Sequence, residues 1–112
     1  MPTWTKGALD DSVIPSDLQL VGLGVGLTGI AKILQTITPA SVAANTTVEQ
    51  TFTVPGLVLV DNVDVSTPSL VAGISVTNCR VSAANTLAIQ FANNTAGALT
   101  PPVGTYNILV VR

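Results

Sequence analysis

In residues 86–92 the large apolar side chains occupy every second position, Leu87, Ile89 and Phe91, with Thr86, Ala88, Gln90 and Ala92 between them. A two-residue period sends successive side chains to opposite sides of the backbone, so this stretch predicts a strand with one buried face. The loop that follows holds Asn93, Asn94, Gly97, Pro101, Pro102 and Gly104. Neither a helix nor a central strand continues through that composition, and the chain is expected to cross the surface there. Tyr106, Asn107, Ile108, Leu109, Val110 and Val111 then form a second extended run. Leaving those aliphatic side chains in water would forfeit roughly 1.5 to 3 kcal/mol for each. The run is therefore expected to be a central strand. Everything from Val81 to Arg112 reads as the end of a small β domain.

The preceding segment repeats this logic. Residues 30–38 are strand-like and end at Pro39. Residues 46–54 alternate, with Val48, Phe52 and Val54 on one face and Thr47, Glu49, Thr51 and Thr53 on the other. Pro55-Gly56 signals a turn, after which Leu57, Leu59, Val63 and Val65 are expected on one face of a run interrupted at Asp61-Asn62. Residues 74–81 make a further, bent strand. The sequence AANTTVEQTF at 43–52 is echoed by AANTLAIQF at 83–91, read as two similar corners, with Asn45 and Asn85 suited to left-handed turns. Residues 30–112 thus predict one all-β domain, a single β-sandwich, of the size usual for that architecture.

Residues 1–29 differ. Gly22, Gly24, Gly26 and Gly29 would each weaken a helix by about 1 kcal/mol, yet VGLGVGLTG is too apolar to stand in water. An extended N-terminal arm is expected, lying along its own domain or a neighbour, with Trp4, Leu18, Leu20, Leu23 and Leu27 as the residues that touch partner subunits. Gly24 to Gly29 matches GxGxxG. A dinucleotide site also needs a following helix and an acidic residue about twenty positions on, and strand-like residues ending at Pro39 leave no place for them.

Composition narrows the chemistry. Hydrophobic residues make up 47% of the 112 residues and charged ones 9%, against roughly 25% charged in an average soluble domain, and the net charge is −2. Such a chain lacks the repulsion that keeps surfaces apart, so self-association or docking on a larger assembly is expected. Lys6, Lys32, Arg80 and Arg112 are the only basic residues and form no stripe, which argues against nucleic acid. No membrane partner is expected. The start lacks the basic and apolar regions of a secretory signal, so use without export by that route is expected. Without histidine, Cys79 has no nucleophile partner and reads as a small buried hydrophobe. Asp61 and Asp64, three apart, point to opposite faces of a strand. All six acids read as solvated loop charges, and no catalytic residue, metal ligand or cofactor is expected. Tyr106 reads as an amphipathic aromatic at the edge of the last strand.

The runs SVAANTTVEQTFTVPGL, VSAANTLAIQFANNTAG and PPVGTYNILVVR resemble small virion proteins of tailed bacteriophages, among them capsid decoration (cement) proteins. The resemblance spans about residues 30–112. It implies a jelly-roll-like sandwich, a homotrimer on the outer capsid surface in contact with the major capsid protein, and a purely structural role in the virion after synthesis in the host cytoplasm. The alternative is a fibre, spike or tail-associated module for host-surface recognition, using the loops at 92–104.

Overall fold

The computed structural model describes Gly24 and residues 26–112. Six strands follow in order: β1 (Ile30–Ile37), β2 (Thr46–Thr53), β3 (Asn62–Ser66), β4 (Ile74–Ala83), β5 (Thr86–Asn93) and β6 (Gly104–Val111). No helix occurs among the described residues. The strands form two antiparallel three-stranded sheets, ordered β1-β6-β3 and β2-β5-β4. The two stretches with the strongest apolar patterns, β5 and β6, are the two central strands. Of the predicted arm, only Gly24 and residues 26–29 are described.

The sheets share one core. From β6 come Tyr106, Ile108 and Val110, from β5 Leu87, Ile89 and Phe91, from β1 Ile37, and from β4 Ile74 and Val81, with Val42, Val54 and Leu57 supplied by the connections. Two sheets joined through their inner faces in this way are consistent with a β-sandwich. Tyr106 is not the edge aromatic expected from sequence. Its ring is wholly buried and its hydroxyl donates to the Pro102 carbonyl at 2.6 Å, so the one polar atom of the side chain is satisfied inside the core.

Several apolar residues depart from the expected faces. Val48 shares the inner side of β2 with Phe52 but is exposed, because β2 is an edge strand. Gln50, also on that side, forms a reciprocal pair with the Ala40 backbone, accepting from its N–H at 2.8 Å and donating to its carbonyl at 2.9 Å. Leu57 is buried but Leu59 is exposed, since residues 57–61 are not a strand. Asp61 closes a turn there, its N–H bonding the Val58 carbonyl at 3.0 Å. In β4 the pairing with β5 slips by one residue at Thr77, whose hydroxyl bonds the Gln90 carboxamide oxygen at 2.9 Å. This bulge keeps Val76 before it and Cys79 and Val81 after it on the inner face, opposite Phe91, Ile89 and Leu87.

The two echoed corners share a mechanism. Asn45 has φ +52° and Asn85 +58°, the left-handed turns expected of them, and in each the next threonine hydroxyl donates to the preceding alanine carbonyl, Thr46 to Ala44 and Thr86 to Ala84. Gly73 is a stricter requirement. It holds φ +89°, its carbonyl accepts the Asn94 N–H at 3.0 Å, and a Cβ there would overlap Thr95 Cγ2. Gly73→Ala combines backbone strain with overpacking and is expected to lower stability by about 2 kcal/mol, read as a shift in the urea midpoint with an unchanged m-value.

Candidate interaction surface

Most described charges are engaged in structural pairs. Arg112 grips Asp61 with two bonds, Nε to Oδ1 at 2.6 Å and Nη2 to Oδ2 at 2.8 Å, and Nη2 also donates to the Gly56 carbonyl at 2.9 Å. The Asp61 side chain is fully buried, which corrects its reading as a solvated loop charge. These bonds hold its carboxyl below the ordinary value against the opposing effect of burial, and the Val58 N–H adds to the lowering. On the outer face of β2-β5-β4, Arg80, opposite Ala88, makes a two-bond pair diagonally over β5 with Glu49, opposite Gln90, and this lowers the Glu49 carboxyl as well. Cys79 is half-buried and its thiol donates to the Val63 carbonyl at 3.4 Å. Burial, then the charge of Asp64, pushes that thiol up, away from the reactive thiolate.

The outer face of the other sheet has a different character. Inward side chains of β6 are Tyr106, Ile108 and Val110, so Thr105, Asn107, Leu109 and Val111 point out. Pairing lays three rows across this face: Ile30, Val111 and Asn62; Lys32, Leu109 and Asp64; Leu34, Asn107 and Ser66. Ile30 is 58% exposed, Leu34 63% and Leu109 45%. Lys32 and Asp64 flank Leu109 in one shallow depression and make no ion pair with each other. Beside the Asn62 end, the β2–β3 connection exposes Val58, Leu59 and Val60.

A cleft of about 480 Å³ opens between β3 and β4. Val65, Ile74, Val76 and Phe91 are among its apolar lining residues, and Ser66 and Thr67 contribute hydroxyls. No ionisable group lines it. Such a site can hold an apolar side chain with hydroxyls at its rim. Among the described residues no three Cys, Asp or Glu side chains gather as a metal site would require. The loop at 92–104 is fixed by the Val42–Leu99 bridge and by Asn93, whose buried amide donates to Val42 and Gly97 carbonyls.

Of the residues expected in arm contacts, Trp4, Leu18, Leu20 and Leu23 lie outside the described residues. Leu27 is half-buried in a single-residue bridge. Immediately after it, Thr28 and Gly29 donate their N–H groups to the Arg112 carbonyl, and Arg112 returns a bond to Gly29 at 2.8 Å. The apolar face of β1-β6-β3 was not singled out from sequence. Its signal is that Ile30, Ile33 and Leu34 in β1, and Leu109 and Val110 in β6, are apolar on both parities, the pattern of strands covered on both sides. No protein-family model, no curated protein and no solved structure matches this chain.

Proposed function

We propose that the chain is a viral structural protein, a capsid decoration (cement) protein that binds the outer surface of a bacteriophage head and stabilises the shell, with no enzymatic activity. Its partners are the major capsid protein and further copies of itself, and not nucleic acid or membrane; its place is the virion surface. The observation that carries this reading is the exposed apolar surface of Ile30, Leu34, Leu109 and the 58–60 connection, on a domain whose buried acid and second carboxylate are tied up in ion pairs. Contiguous exposed apolar surface marks interaction sites. The resemblance to small virion proteins supplies the assembly.

The strand order supports the jelly-roll part of the reading. Pairing β1 with β6 and β2 with β5, with β3 beside β4, is the ladder of one long antiparallel hairpin; rolling it brings β3 against β6 and β4 against β5. A jelly-roll path with three rungs would give this order. The proposed mechanism is linkage: a ligand that binds the assembled shell and not its free subunits moves the equilibrium toward the shell by its binding free energy.

Co-sedimentation with expanded empty phage heads tests the proposal, comparing the full chain with one lacking residues 1–25, which keeps the Thr28 and Gly29 bonds to Arg112. Saturable binding of the full chain, weakened by the truncation, with a raised melting temperature of the decorated heads, is expected. Binding by neither chain overturns it. The fibre or spike alternative uses the loops at 92–104 and predicts binding to host cells in place of heads.

A further inference from the structure

The outer face of β1-β6-β3 carries a charge pattern that selects its own partner. Lys32, Leu109 and Asp64 form one row, on β1, β6 and β3. Neighbouring strands are about 4.8 Å apart, so the two charges sit roughly 9.6 Å apart at the backbone with Leu109 between them. Each is exposed, and among the described residues neither belongs to an ion pair, although Glu49, Asp61, Arg80 and Arg112 all do. We infer that this face packs against the same face of a second copy, around a two-fold axis running parallel to β6 above Leu109.

The geometry follows from symmetry. That axis exchanges the β1 and β3 sides while keeping each row at its own height. Lys32 of one copy then faces Asp64 of the second, Asp64 faces the second Lys32, and Leu109 meets its own counterpart. Ile30 and Leu34 come to lie over Asn62 and Ser66 of the other copy, with Val111 at the axis. The other in-plane two-fold, perpendicular to the strands, would set Lys32 on Lys32 and Asp64 on Asp64, and like charges in contact oppose association. A self-complementary surface is what a two-fold interface requires, and the strands remain aligned as in ordinary sheet-on-sheet packing.

The face is small. Eight residues each of β1 and β6 and five of β3, at about 3.4 Å per residue and 4.8 Å per strand, cover roughly 340 Å² per copy, less than half the usual ~800 Å² per partner. The pair is therefore expected to be micromolar. It is even-numbered, unlike the homotrimer implied by the resemblance to virion proteins, and it covers Ile30, Leu34 and Leu109, so a copy paired in this way offers a head only the 58–60 connection of that surface.

Sedimentation equilibrium of the full chain over about 1 to 500 μM tests the inference, with Lys32→Asp, Asp64→Lys and the double exchange. Each single variant places like charges across the axis and is expected to weaken dimerisation at least ~10-fold. The double exchange restores both the opposition of charges and the native net charge, and is expected to return to within about threefold of the native constant. An equimolar mixture of the two single variants is expected to dimerise where each alone does not. Both substituted positions, Lys32 and Asp64, are in water in the monomer, so circular dichroism and melting temperature should stay native and separate lost contacts from lost folding. A monomer throughout the range, a trimer as the end state, single variants that associate like the native chain, or a double exchange that fails to recover would each overturn it.

Discussion

Asn93→Ala is expected to cost about 3 kcal/mol of stability, among the largest effects of any polar substitution in this fold. Asn93 is 2% exposed and uses both halves of its carboxamide. Nδ2 donates to the Val42 carbonyl at 3.0 Å and the Gly97 carbonyl at 2.9 Å, while Oδ1 accepts from the Thr95 N–H at 2.9 Å and its hydroxyl at 2.7 Å. After truncation the Val42 carbonyl keeps the Leu99 N–H, and the Gly97 carbonyl keeps the Thr95 hydroxyl at 2.9 Å. The Thr95 N–H keeps nothing. The cost is therefore one orphaned donor, the lost bonds at three other groups, and a small cavity at the end of the core. For a domain near this length the melting temperature should fall by roughly 12 to 20 °C. Asn93→Asp retains the acceptor toward Thr95 but turns a second oxygen toward two carbonyls, so at pH 7 it should be no more stable than the alanine variant. A native-like melting temperature for both would show that the network carries no weight. The same bonds bury the Asn93 amide nitrogen and take both of its hydrogens in the folded chain.

Local periodicity made the strands legible, and for a physical reason. β5 and β6 are central, so Leu87, Ile89 and Phe91, and Tyr106, Ile108 and Val110, are all buried, although in β5 the small Ala88 between them is buried as well. The left-handed turns at Asn45 and Asn85 could be read because only a few residue types accept that backbone, and Asn is one. Depth was less legible than side. Val48 points inward but lies on an edge strand, and nothing in TTVEQTFT says which strand will be central. The bulge at Thr77 was present as a slip of phase, since Ile74 and Val76 share one parity while Cys79 and Val81 share the other. It was read only as a bend.

The candidate surface was hidden because its residues are distant in sequence. Lys32, Asp64 and Leu109 meet only because β6 inserts between β1 and β3, and an apolar residue such as Leu34 looks the same in sequence whether it faces a core or water. What composition did convey is the consequence. A chain with so few charges has two of its described acids in ion pairs, and the remaining surface is left to alternate apolar residues with hydroxyls and amides. The two outer faces divide that material unequally: β2-β5-β4 presents Thr, Gln and the Glu49–Arg80 pair, whereas β1-β6-β3 presents Ile30, Leu34 and Leu109. Such asymmetry is what a domain needs if one side is to be covered and the other to remain in water.

Asp61 is expected to make this protein acid-labile. Its carboxyl was legible only as an interruption of a strand run, because the partner that explains it, Arg112, lies 51 residues away. In the fold the carboxylate takes the Arg112 guanidinium on both oxygens and the Val58 N–H at 2.9 Å, while Arg112 remains 41% exposed on its side chain. The pair ties the end of β6 to the β2–β3 connection, and the Arg112 bond to Gly56 extends the same tie. Because the folded carboxyl titrates below its unfolded value, its contribution is complete above the ordinary carboxylate range and is lost as pH falls through the folded value. Stability should therefore decline on acidification from about pH 5 downward. Asp61→Asn keeps an acceptor for Val58 but not the charge, so it should be less stable at pH 7 and flatter through the acid range. Asp61→Ala should cost about 3 kcal/mol at pH 7, near the low end for breaking a buried pair, since the freed guanidinium already reaches water. Glu49→Gln is the necessary comparison: that carboxyl is also lowered, by Arg80, but it sits on an exposed face where salt screens the pair. Urea midpoints measured from pH 3 to 7 decide the matter. If the native chain and Asp61→Asn run parallel across that range, the buried pair does not set the acid limit of this fold; if the slope flattens in Asp61→Asn and persists in Glu49→Gln, it does.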